Sequence, residues 1–400
     1  MAIRDFVSSG SIFILEGAKI YSVAAGDHVG LSDAVATIFR VAGTFSKLLV
    51  RFSTNSKSTT TTFQSRKNGV AANMLISIPA GVTGDFEDTT NSDTIVSGDT
   101  YTARLVPGAD GSMVINLHQV SFEAATSSVI YYGGTSSLGG ISGVQYLGAL
   151  SLINFNATEA NAQVRVPHSG TLKNLRLHVG PNDDASAETF TTRINGAPGN
   201  ISISVPATTT GFFEDTTNTD AIAANDLVNL HFTGTGTGPL GAVGYNLNSV
   251  NVQLDGSTSI ALVGGLVSGG TLSTGLTRYV SIFGFEHDTA ETTAEFVLRS
   301  YKTVSKMWFK VLTNATTGAS TLTFRKNSAD TSVTASIPTA TTGTFTDDSH
   351  TVDLAPTDRV DFQLINGGGG SLVWAALSAL MTDRTVTLPG QLGFHPLNMV

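Results

Sequence analysis

Cysteine is absent from the 400-residue chain, so neither a disulfide framework nor a thiolate metal set can be built from it. Charge is scarce too. Only 13% of the residues are Asp, Glu, Lys or Arg, well below the usual share of a globular protein. Acids outnumber Lys and Arg by 31 to 22, the formal net charge is −9, and no basic cluster interrupts that balance. Nucleic acid and anionic membrane are therefore not expected partners, because both are held by concentrated positive charge. Long apolar runs are also missing. Ile12-Phe13-Ile14-Leu15 meets Glu16 at once, and Asp5 stands where a signal peptide carries basic residues. Neither a signal peptide nor a membrane span is expected. Helical apolar spacing is nowhere sustained, so the fold is expected to be all-β.

What fills the chain is Gly, Ser and Thr around a 41% hydrophobic fraction, a composition that favours strands and turns. One stretch is written three times. Pro79-Ala80-Gly81-Val82-Thr83-Gly84-Asp85-Phe86-Glu87-Asp88-Thr89-Thr90-Asn91 returns as Pro206 followed by Gly211-Phe212-Phe213-Glu214-Asp215-Thr216-Thr217-Asn218. It returns again as Pro338 followed by Gly343-Thr344-Phe345-Thr346-Asp347-Asp348-Ser349-His350. The copies stand 127 and 132 residues apart, a period that matches a whole small domain rather than a solenoid unit. The surroundings keep register. Asn55, Asn182 and Asn314 precede each Pro, then Arg66-x-Asn68, Arg193-x-Asn195 and Arg325-x-Asn327, and Asp99, Asp226 and Asp358 follow it.

Within each copy the apolar residues alternate. Leu48, Val50 and Phe52 share a face, as do Leu175, Leu177 and Val179, and Met307, Phe309 and Val311. Polar residues between them indicate strands with one wet face. In the last strand of each copy the apolar spacing slips from two to three (Leu117 to Val120, Leu247 to Val250, Leu377 to Leu380), which predicts a β-bulge. Seven or eight such segments per copy predict three tandem antiparallel β-sandwiches, jelly-roll-like, with an immunoglobulin-like order as the alternative. The expected division is an arm and first sandwich over 1–125, a linker over 126–143, a second sandwich over 144–255, a linker over 256–275, a third sandwich over 276–383 and a docking tail over 384–400. The second linker is apolar (Leu262, Val263, Leu266), as is the tail (Leu392, Phe394). Both are expected to lie on a neighbour.

No catalytic set emerges. Gly236-Thr237-Gly238-Pro239-Leu240-Gly241 has the form of a dinucleotide fingerprint, but a strand follows it where the fingerprint needs a helix. Asp85, Asp88 and Asp93 are weak candidates for a Ca²⁺ site; copy three breaks the set with Thr344 and Val352. The plainer reading is that they fold back on their own backbone in Asx turns. His178 falls in the same outward slot as Arg51 and Lys310, which reads as wet and permissive. Trp308 points outward by parity, where the other copies carry Leu49 and Arg176. It is a candidate interface anchor or sugar-stacking platform, against simple cover by a neighbouring loop.

The run Arg66-Lys67-Asn68-Gly69, Ile78-Pro79, Thr83-Gly84-Asp85-Phe86-Glu87-Asp88-Thr89-Thr90-Asn91 and Gly98-Asp99 resembles β-sandwich modules of tailed-bacteriophage virion proteins. The resemblance implies a non-enzymatic protein of the virion surface, made in bacterial cytoplasm, without cofactor. A capsid decoration or cement role is expected, with contacts to other virion proteins, the major capsid protein first, and to copies of itself in a homo-oligomer. The alternative is a tail fibre or receptor-binding protein that recognises host glycan.

Overall fold

A computed structural model describes residues 3–14, 20–23, 29–30, 36–125, 129–134, 138–141, 143–148, 156–234, 245–256, 259–282 and 287–384. Its strands fall into three copies of one arrangement. In copy one, β1 (Ile3–Ile14), β10 (Met113–Ala124), β5 (Gly43–Asn55) and β8 (Gly84–Ile95) form one sheet in that order. The other sheet runs β3 (Val29–Gly30), β2 (Ile20–Val23), β9 (Thr100–Val106), β6 (Thr61–Lys67), β7 (Val70–Ile78), with β4 (Thr37–Ile38) also on β9.

Copy two repeats this. β11 (Val129–Gly134) and β12 (Leu138–Ile141) pair with β20 (Tyr245–Asp255), followed by β15 (Gly170–Asn182) and β18 (Gly211–Ile222). Its second sheet runs β13 (Val144–Leu147), β19 (Asp226–Thr233), β16 (Glu188–Ile194), β17 (Ala197–Val205), with β14 (Val164–Val166) on β19. Copy three has β21 (Ser259–Leu272), β30 (Leu372–Asp383), β25 (Lys302–Asn314) and β28 (Gly343–Leu354). Its partner sheet is β23 (His287–Asp288), β22 (Thr277–Val280), β29 (Arg359–Ile365), β26 (Ser320–Lys326), β27 (Ala329–Ile337), with β24 (Phe296–Val297) on β29. Among the described residues helix is confined to two single turns, α1 (Glu159–Ala162) and α2 (Glu291–Ala294).

In every copy the first strand pairs antiparallel with the last. The chain therefore wraps as a jelly roll, and the immunoglobulin-like alternative does not hold. The alternating residues behave as their spacing indicates: Leu48, Val50, Phe52, Ile76 and Ile78 are buried together in copy one, and Phe309, Val311 and Ile337 are buried in copy three.

Two features depart from the sequence expectation. The stretches read as linkers are not linkers throughout: β11 and β12 lie inside 126–143, and β21 fills most of 256–275. Each is the first strand of the next jelly roll, because its main-chain groups find partners on the exposed edge of the last strand. The bulge is also shared between strands. The last strand does break register against its neighbour in all three copies. The sharper kink lies one strand over, at Lys47, Asn174 and Lys306, which adopt φ of 55°, 54° and 54°. There a single residue faces a three-residue excursion of the neighbouring strand, as Lys47 does between the pairs Ser46↔Ser92 and Leu48↔Asp88.

Candidate functional site

The recurring polar residues serve the backbone. Asp88 Oδ1 accepts the N–H groups of Thr90 (3.1 Å) and Asn91 (3.0 Å), closing the excursion, while Oδ2 accepts the N–H of Leu75 (2.9 Å) on the facing sheet. Asp215 does the same with Thr217, Asn218 and Ser202, and Asp347 with Ser349, His350 and Thr334. Leu75, Ser202 and Thr334 sit on edge strands, so each carboxylate takes an edge donor that no strand pairs and ties the two sheets together. Burial alone would raise these carboxyls; the converging donors more than reverse it. Asp88 and Asp347 lie below the usual carboxylate range, and Asp215 is lowered to about 2.

Asn55, Asn182 and Asn314 clamp the proline turn, each amide donating to the carbonyls of Pro79 and Val82, Pro206 and Thr209, or Pro338 and Thr341. Asn68, Asn195 and Asn327 take left-handed φ of 51°, 52° and 51°, a conformation asparagine tolerates. They donate to Asp99, Asp226 and Asp358. Those aspartates hold the turn, accepting from Val96, Ala223 and Ala355 N–H. The Ca²⁺ candidates are not brought together. Asp85 pairs with Arg51 and Arg359, Asp88 holds its own turn, and Asp93 accepts from Asn73 N–H. Among the described residues no three His, Cys, Asp or Glu side chains form a group that could hold a metal ion.

The arrangement with functional content is the set of seams between copies. On the outer face of β5, Arg51 Nη1 donates to the carbonyls of Thr292 (2.6 Å) and Glu295 (2.7 Å) in copy three. On β15, Arg176 donates to the carbonyl of Ala36 in copy one (3.4 Å). On β25, Lys310 Nζ donates to the carbonyl of Ala160 in copy two. Ala160 and Thr292 are equivalent by the 132-residue offset, and so are Ala36 and Glu295 across both offsets. The same face of each copy thus docks on the same segment of another copy, one on three, three on two and two on one. Head-to-tail contacts of this kind close when the rotation fits, and here they close on three.

Charged pairs distinguish the seams. Arg299 pairs with Glu87 (2.9 Å) and Arg359 with Asp85 (2.8 Å) between copies three and one. Arg40 pairs with Glu214 between copies one and two, at the positions equivalent to Arg299 and Glu87. Copy three carries Thr346 in the acidic slot and copy two Pro167 in the basic one, so both charges of that pair are missing together. Their seam uses Arg165 with Asp348 (2.9 Å) instead.

This corrects one expectation and decides between two others. The outward slot of Arg51 and Lys310 is not wet, because a neighbouring copy covers it: Arg51 is 5% exposed, while His178 stacks on Phe212 of its own copy. For Trp308 the structure shows cover by a neighbour. It is 4% exposed and shares a face with Lys310, in a cluster that runs through copies two and three. There β14 and α1 pack on β30. Leu49 likewise belongs to that cluster and not to its own jelly roll's core. Parity was read correctly, but the outward face of one sandwich is the interior of the ring. Of the other interface candidates, the backbone of Leu262, Val263 and Leu266 lies in β21 opposite β30. Their side chains, and Leu392 and Phe394 entirely, fall outside the described residues.

The seam residues Arg40, Arg165, Arg299 and Arg359 were not singled out from the sequence. The paired absence at Pro167 and Thr346 is a signal present in the repeats, usable only once those slots are known to face one another.

No family model matches the sequence, and no curated protein matches it. Among solved structures, a chain from work on the triple jelly-roll fold and turret assembly of an archaeal virus aligns over 95% of this chain and 90% of its own, at 15% identity and TM-score 0.21. A Sulfolobus turreted icosahedral virus chain aligns over 96% and 92%, at 13% identity and TM-score 0.19. A structure of PNGF-II aligns over 86% and 100%, at 9% identity and TM-score 0.20. Superpositions at that level carry no argument about function.

Proposed function

We propose that the protein is a non-enzymatic structural protein of a virion, and within that class a capsid decoration or cement protein that acts by adhesion. The observation that supports this is the ring itself. Three jelly rolls in one chain lock face to segment, and the recurring polar residues are spent on turns, sheet-to-sheet ties and seams. A chain so organised offers broad rigid faces and no converging reactive groups among its described residues.

Copy one also differs from the others in its exposed apolar residues. Val70, Leu75, Val82 and Val96 of copy one are exposed, whereas the equivalent positions are Ala197, Ser202, Thr209 and Ala223, then Ala329, Thr334, Thr341 and Ala355. Exposed apolar residues at these four positions of copy one, absent from the same positions of the other copies, suit attachment in a single orientation to another virion protein, the major capsid protein being the partner proposed. The glycan-binding alternative loses its platform, since Trp308 is enclosed in a seam.

Image reconstruction of intact particles tests the reading, with density for the three-lobed ring expected on the capsid surface. Location at a tail tip, or absence from the particle, refutes it. Leu75→Ser with Val96→Ser should reduce co-sedimentation with particles lacking the protein while leaving the fold intact.

A further inference from the structure

Of the three seams, two are spanned by the chain itself, which passes from β10 to β11 and from β20 to β21. The seam between copies one and three has no such tether, so its closure rests on non-covalent contacts alone. Copy one grips it through α2 and the residue after it: Arg51 holds the carbonyls of Thr292 and Glu295, and Gln119 that of Val297 (2.8 Å).

Close to this gripped segment, on β29, lies Asp361. It is 1% exposed, and among the described residues neither carboxyl oxygen has a hydrogen-bond partner. Arg325, its neighbour in register on β26, gives four of its five N–H groups to both oxygens of Glu291, to Asp330 and to the Ser328 carbonyl, and none to Asp361. Glu295 is occupied by Ser328 and Arg359. Other charged or titratable groups around the cluster include Tyr279 on β22, which receives Gln363 and lies under Arg325, Asp288 on β23, which accepts from the N–H of Ala290, and Asp85 of copy one on Arg359. The positions equivalent to Asp361 are Asn229 and Thr102. Only the untethered seam has a titratable group at this place.

We propose that Asp361 and the segment Glu291–Glu295 form a pH-sensitive latch on the seam between copies one and three. Neutral Asp361 lets the acidic segment lie against β29 in the position that Arg51 grips. Loss of its proton to solvent sets a third negative charge beside Glu291 and Glu295, with no hydrogen bond among the described residues to receive it, and the segment lifts. Burial first, then Glu291, pushes this carboxyl up to about 8 against the pull of Arg325, so the change falls in mildly alkaline solution. The proposal does not depend on the virion reading.

With no native cysteine, spin labels can be placed cleanly. Thr60→Cys with Thr339→Cys reports on the seam between copies one and three, and Thr210→Cys with Thr339→Cys on that between two and three. Raising the pH from about 6 to about 9.5 should add a longer-distance population to the first pair only, and Asp361→Asn, which reproduces the residue of copy two, should abolish it. An unchanged distribution, a change that persists in Asp361→Asn, or equal movement of both pairs overturns the latch. Far-UV circular dichroism at both pH values confirms that each variant keeps its sheets.

Discussion

Replacing Trp308 by alanine separates a side chain that faces solvent from one that fills a seam. An aromatic of this class buries roughly 150–250 Å², and at about 25 cal/mol per Å² that corresponds to about 4–6 kcal/mol of gross stabilisation. Truncation in a packed site costs about 3–5 kcal/mol, because the cavity is only partly refilled. At 4% exposure Trp308 belongs in that range. The seam should weaken without opening, since Lys310 to Ala160 and Arg165 to Asp348 remain. Trp308→Leu, the residue type copy one carries at this slot, should be milder. The assay is reversible urea unfolding followed by circular dichroism and by fluorescence of Trp374, the second of the two tryptophans. Copies two and three should then unfold less cooperatively. A loss below about 1 kcal/mol, the level of a surface substitution, would mean the seam is not packed as described.

Three further outcomes follow from particular residues. Phe309→Ala should cost about 3–5 kcal/mol, because the ring is fully buried beside Trp374; thermal unfolding checks it. Asn182→Ala strands the Pro206 and Thr209 carbonyls and the Asp184 N–H and should cost about 1–3 kcal/mol, with faster amide exchange confined to that turn. The pH dependences of Asp215 and Asp361 have opposite signs. Asp215 is lowered to about 2, so its stabilisation, on the order of 2 kcal/mol, is present above the unfolded pKa and fades as pH falls towards 2. Asp215→Ala should therefore hurt at neutral pH and matter little in strong acid. Asp361 is raised to about 8, so its contribution is intact below the unfolded pKa and is lost as pH rises through 8. Asp361→Asn should match the parent near pH 4 and exceed it by up to about 5 kcal/mol above pH 8. Denaturant midpoints across the pH range report both.

Much of each jelly roll is decided locally, and the sequence alone carries it. Period-two alternation at Leu48–Phe52, Leu175–Val179 and Met307–Val311 selects the faces that bury together, and Asn, Asp and Pro at constant offsets select the turns. These interactions span short sequence distances and recur three times, so they leave a pattern. The all-β sandwich class and the bulge region were readable in that way, with a jelly roll as the expected wrap; the pairing of first with last strand that decides the wrap is not local.

What became of the remaining surfaces is a tertiary matter. Trp308, Arg51 and Lys310 look solvent-facing because, within their own sandwich, they are. Arg51 and Lys310 meet main-chain carbonyls up to 244 residues away, and a carbonyl carries no side-chain identity for the sequence to display; Trp308 packs into an apolar cluster that other copies help to build. The apolar Ile260–Val267 stretch read as a linker for a related reason: a first strand shows its pairing only once the last strand of the same copy, more than 100 residues later, offers it an edge. Alternation and turn chemistry determine three like sandwiches. Their closure into a ring, with one seam left to non-covalent contacts over a buried carboxyl, is decided by which faces meet, and that information exists only in the folded chain.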